Sequence, residues 1–145
     1  MEQLFKIIPI ILYFIVGVIS LMMAIKNLTA KEYLSFHEEA AGKKWEEIDV
    51  SLQILIISYL RIIGFGFLIA ALLMLICPIV NYFIQNIFFE FAVPVLALIF
   101  CSGLFINNYI LYKKTTAYTP WKGSLYAVVI IVVGMVISLL HLLLL

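Results

Sequence analysis

The sequence predicts an all-α, polytopic integral membrane protein: four transmembrane helices in a bundle, forming a single domain over residues 1–145, with a short interfacial helix between the first two. Three observations carry that prediction. Of 145 residues, 66% are hydrophobic and 12% charged, and mean hydropathy is +1.22, whereas a water-soluble domain has about a quarter of its residues charged. Four apolar stretches, about 5–25, 50–77, 87–111 and 124–144, each reach the roughly 20 residues that an α-helix needs to cross ~30 Å of hydrocarbon. They are also too long for the ~10-residue strands of a barrel, and a helix satisfies its own backbone amides where no water can.

The first stretch follows Lys6 and ends in "SLMMAIKN", without a small-x-small cleavage pattern, so it reads as a retained helix rather than a signal peptide. Pro9 and Pro78 read as marks of helix ends, and Pro94 as a bend in the second turn of the third helix. Small residues at helix-packing spacing, such as Gly17, Ser20 and Ala24, or Gly134 and Ser138, suit close approach of backbones.

Residues 36–49, "FHEEAAGKKWEEID", hold five of the eight acidic residues, two of the nine basic ones and one of the two histidines. Upstream, Thr29 and Glu32 have the spacing of a capping box and Gly42 that of a C-terminal stop, which predicts a helix over about 30–41. Tyr33, Phe36, Ala40 and Ala41 give it an apolar underside, so it is expected to lie in the interface plane. Asp49 is placed to cap the next helix.

Basic residues divide unequally between the two ends. Lys26, Lys31, Lys43, Lys44, Lys113, Lys114 and Lys122 fall in or beside the first and third connections, against Lys6 at the other end. The positive-inside rule then puts both polar connections in the cytoplasm and both termini outside. Trp45 and Trp121, at the starts of two helices on that face, are expected to act as membrane anchors.

Arg61 is the charge most deeply embedded in an apolar run, where an unpartnered guanidinium costs ~2.5–3.5 kcal/mol on insertion scales. On a span of 50–77 it lies about 4 Å from the middle, on the side of the polar connections. Asn107 and Asn108 fall in the same half of the third helix. With His37, Glu38, Glu39 and Trp45 from the first connection they are expected to form a polar ligand-binding cluster, Arg61 at its floor and the interfacial helix as its lid. The competing structural reading has Arg61 and a loop carboxylate simply pin that helix to the bundle.

Other chemistry finds little support in the sequence. His37 and His141 belong to opposite ends, so no metal site is expected and no cofactor motif stands out; "GxSxG" and phosphate-loop patterns are missing. Glu38 and Glu39 point about 100° apart on a helix, which does not make a catalytic pair. Cys77 and Cys101 sit in apolar runs as small core residues. A net charge of +1 with scattered lysines gives no nucleic-acid footprint.

Through "FHEEAAGKKWEEI", "LRIIGFGFLIAALL" and "TPWKGSL", the chain resembles a group of small uncharacterised four-helix bacterial membrane proteins. The resemblance rests on the His37, Gly42 and Trp45 spacing, on Arg61 with Gly64, and on Thr119 to Trp121. In helix count and length it is also similar to the wider DoxX-like set, in outline only. The resemblance implies a bacterial cytoplasmic (inner) membrane location and no particular reaction. The functional expectation is a small non-catalytic membrane protein that binds a lipid headgroup or amphipathic small molecule, or serves as a subunit of a membrane complex. A small-solute transporter or channel built as a homo-oligomer, and a small membrane enzyme using His37 with Glu38 or Glu39, are the alternatives. Expected partners are membrane lipid and further copies of the chain or other membrane subunits.

Overall fold

A computed structural model describes residues 2–144. Five α-helices follow in order: α1 (Glu2–Leu28), α2 (Ser35–Ala41), α3 (Val50–Ile84), α4 (Ile87–Thr115) and α5 (Trp121–Leu144), with a 3-10 turn at Trp45–Glu47. Among the described residues no strand forms. Four of the helices, all but α2, are long and apolar enough to cross a membrane.

The helix ends are set by local hydrogen bonding. Asp49 accepts from the Ser51 amide at 3.4 Å and so caps α3. Asn86 accepts from the Phe88 amide at 2.9 Å at the start of α4, and its own amide donates to the Asn81 side chain at 2.9 Å. A two-residue corner results, with Gln85 in the left-handed conformation at φ 52°. Gly42 ends α2 with φ 64°, a conformation that glycine adopts without steric cost.

Several sequence expectations are corrected. All four long helices exceed the expected bounds, and α3 runs through Pro78 to Ile84 instead of ending near residue 77. Pro9 likewise lies inside α1. A proline removes one helical donor, but in apolar surroundings a broken helix would leave several backbone groups unpaired, so continuation costs less. The predicted helix over 30–41 starts only at Ser35. Thr29 does not cap it, because its hydroxyl donates back to the Ile25 carbonyl at 2.7 Å and finishes α1. The bond that organises the start of α2 instead runs from the Leu34 amide to Nδ1 of His37, at 3.3 Å.

Packing follows an up-down order in which α1 lies against α3 and α5, and α4 completes the ring against α3 and α5. The core is built from Tyr13, Val16, Met74, Val93, Ala97, Cys101 and Ile131. Glycines set the register. A Cβ added at Gly64 would meet the Leu28 side chain at 2.8 Å and its backbone nitrogen at 3.1 Å. One added at Gly134 would meet the Tyr13 ring at 2.6 Å, whereas Gly103 has open space around it.

These contacts generate a paired prediction. Gly64→Ala forces the α1 and α3 backbones apart and is expected to lower stability by about 1–3 kcal/mol. Gly103→Ala meets nothing and is expected to be neutral or to stabilise by up to about 1 kcal/mol through helix propensity. Equilibrium unfolding in detergent micelles checks both; equal effects would refute the close packing at Gly64.

Candidate functional site

Residues singled out from the sequence lie at the end where α1 and α4 finish, and they divide between two neighbouring features. Arg61 is exposed on α3 and makes no hydrogen bond or ion pair among the described residues. Because α3 runs to Ile84, Arg61 lies about 9 Å from its midpoint instead of 4 Å. Gly64, nearly one turn further along, already touches the last residue of α1. Arg61 therefore sits just past the end of α1, on an exposed face of α3 and not deep between the helices.

The first connection forms a unit of its own. The Tyr33 hydroxyl donates to the Lys43 carbonyl, and the Tyr33 ring meets Trp45 edge-on at 5.1 Å. Gln53 of α3 donates to the Trp45 carbonyl at 2.7 Å. A carboxylate oxygen of Glu39 accepts from the Tyr118 amide at 3.1 Å, which ties α2 to the connection between α4 and α5. Glu38 and Glu39 rim a shallow depression together with Gly42, Lys43, Lys44 and Glu47.

Asn107 bonds back to the Gly103 carbonyl of its own helix at 2.8 Å and is exposed. Asn108 serves the next turn: its carbonyl accepts from the Thr119 hydroxyl at 2.8 Å, and its amide donates to Ser124 at 3.5 Å. Trp121 lies among Phe105, Tyr109 and Tyr112, with ring centroids 5.5–6.4 Å away. Lys122 lies over the Trp121 ring at 5.7 Å and Lys113 over Tyr109 at 5.6 Å, as cations favour π-faces. None of these bonds joins Arg61 to the α2 unit.

At the opposite end a partly open cavity of about 210 Å³ lies between the helices. Lys6, Pro9, Ile10 and Tyr13 of α1 line it, facing Pro78, Asn81 and Tyr82 of α3. Phe89, Glu90, Val93 and Pro94 of α4 and Ser138, His141 and Leu142 of α5 complete the wall. Three of its wall residues are the prolines inside α1, α3 and α4. Each removes the donor for a carbonyl four residues earlier, at Phe5, Met74 and Glu90.

Polar groups in the cavity are unusually sheltered. Tyr13 is 3% exposed, Ser138 2% and His141 8%. The buried Tyr13 hydroxyl makes no well-formed hydrogen bond; the Ser138 side chain is within reach of it as a weak partner, and Glu90 is near enough to act on it electrostatically. Lys6 is engaged in an interaction of its own. Leaving a buried hydroxyl poorly paired costs up to about 1–3 kcal/mol, so this one marks a place where a ligand group would be rewarded. From the sequence, His141 is placed at this end and Ser138 reads as a helix-packing residue, while Tyr13 does not stand out among its apolar neighbours. The available signal was the three prolines, all within three turns of the helix ends that meet here.

Among the described residues no three His, Cys, Asp or Glu side chains converge as a metal site would need. No family model, curated protein or solved structure matches the chain.

Two predictions follow from the two ends. Burial holds the His37 imidazole below its ordinary pKa, so the unfolded connection takes up a proton more readily than the folded one. The resulting stability is full above the ordinary value of about 6.5 and is lost as pH falls through the lower folded value; protonation also removes the acceptor for the Leu34 amide. Hydrogen exchange over residues 34–41 is expected to quicken between about pH 7 and pH 5 beyond its intrinsic pH dependence, and this excess to vanish in His37→Gln. An unchanged wild-type protection factor would count against it. At the cavity, Tyr13→Phe is expected to stabilise the ligand-free protein by about 1–3 kcal/mol, read as a Tm increase in detergent; a decrease would mean that the hydroxyl is hydrogen-bonded after all.

Proposed function

We propose that the chain is a small non-catalytic membrane protein, with α1, α3, α4 and α5 spanning the bilayer and α2 lying at its surface, that binds an amphipathic small molecule in the terminal cavity. The observation that carries this reading is the cavity itself: about 210 Å³ among four helices, holding a buried hydroxyl without a well-formed hydrogen bond. Its lining joins apolar side chains to a few polar groups, the composition of small-molecule sites generally. An amphipath suits it because the bundle's outer surface is apolar, with residues such as Ile11, Phe83 and Phe88 exposed, so a ligand can partition from lipid.

The lysine-rich end supports an orientation. Lys26, Lys113, Lys114 and Lys122 together with Arg61 favour the cytoplasmic leaflet, where anionic headgroups collect. The termini and the cavity then face the outside, in keeping with the bacterial inner-membrane location that the sequence resemblance implies. Trp45 and Trp121 act as anchors at the headgroup level. Arg61, exposed on α3 at this end, contacts lipid phosphate in this arrangement, and the His37, Glu38 and Glu39 unit serves as a surface cover.

Native mass spectrometry from mild detergent tests the assignment. The wild type is expected to retain a small molecule or lipid at one per chain. Ile10→Trp, which fills the cavity from α1, is expected to lose it with helicity unchanged, while Arg61→Leu keeps it. Loss with Arg61→Leu and retention with Ile10→Trp would move the binding site to the lysine-rich end and overturn the proposal.

A further inference from the structure

We infer that the terminal cavity selects the ammonium head of a cationic amphipath, a primary amine or quaternary ammonium on an apolar chain. The inference rests on the cavity being a binding site and names its ligand class.

Charge and ring placement carry it. Glu90 is half-buried, lines the cavity, and makes no hydrogen bond or ion pair through its side chain among the described residues. A carboxylate held in apolar surroundings gains most from a cation brought to it, because the attraction between charges strengthens as the local dielectric falls. Three aromatic side chains, Tyr13, Tyr82 and Phe89, line the same space from α1, α3 and α4. An ammonium group near such ring faces is attracted by their quadrupoles, the physical basis of aromatic recognition of quaternary ammonium ligands.

Lys6 brings a positive charge to the same wall and has an interaction of its own; among the described lining residues Glu90 is the only carboxylate. Ser138, Asn81 and His141 can donate or accept hydrogen bonds, as a primary amine or a neighbouring ester or hydroxyl would use them. The apolar part of the wall, with Ile10, Val93 and Leu142 among its residues, accommodates the first segment of the chain. An anionic head would instead bring like charge to Glu90.

Equilibrium binding to the full chain in lipid nanodiscs distinguishes the outcomes. The probe is radiolabelled decyltrimethylammonium, competed by decylamine, decyl maltoside and decanoate, which share the chain and differ in head charge. Expected are saturable binding at one per chain, displacement by decylamine at least tenfold more effective than by the neutral or anionic compound, and at least tenfold weaker binding in Glu90→Gln. Tyr82→Leu and Phe89→Leu are expected to weaken the quaternary probe more than decylamine, a difference that loss of folding would not produce. Equal competition by decyl maltoside would leave the cavity as a site but overturn the selectivity for a cation. Tighter competition by decanoate would reverse the assigned charge. No saturable binding of any decyl compound would overturn both this inference and the cavity reading on which it rests.

Discussion

The contact on which the terminal end of the molecule depends is that of Tyr13 with Gly134. Without a side chain on Gly134, the phenol ring of α1 lies directly on the α5 backbone, in space that a Cβ would occupy at 2.6 Å. That seat brings the Tyr13 hydroxyl into the neighbourhood of Ser138, one turn further along α5, and of Glu90 across the bundle. Val16 and Met74, both nearly fully buried, close the space behind it. At this tight contact between α1 and α5 the polar end of a large side chain is carried outward to the level of Pro9, Pro78 and Pro94, where the cavity lies.

The two ends of the bundle solve different problems. At the lysine-rich end the polar groups satisfy one another: Glu39 receives the Tyr118 amide, Thr119 reaches the Asn108 carbonyl, and Gln53 reaches Trp45. Such cross-connection fixes three pieces of chain that the long helices leave loose. At the terminal end the α3–α4 corner needs only two residues, and Asn81 and Asn86 complete it. Little of the remaining polarity there is spent on holding the fold: Tyr13 has only Ser138 within reach, and the Glu90 side chain makes no hydrogen bond among the described residues.

Four long apolar runs made the helices legible in the sequence, and Asp49 and Gly42 marked their local caps correctly because capping depends on neighbours within four residues. Helix lengths were less legible. Pro78 looks like a terminator when water competes for backbone groups, and inside an apolar bundle that competition is missing. Arg61 was misjudged for a related reason: its depth was measured on a helix taken to be 28 residues long, whereas the level that matters is set by where α1 stops. The cavity was the hardest to see. Its members come from four helices far apart in sequence, and Tyr13 and Ser138 resemble ordinary packing residues until Gly134 brings one onto the other.

The length of α3 has a mechanical side. At 35 residues it measures about 52 Å, well beyond the ~30 Å of a hydrocarbon layer, while α1 stops beside Gly64. The overhang from Val50 to Ile63 stands free of α1 and bears Arg61, and Gln53 near its tip is bonded to the surface connection. With Leu60 nearly fully buried and Gln53 tied to the Trp45 carbonyl, this stretch is held by the first connection where α1 no longer reaches.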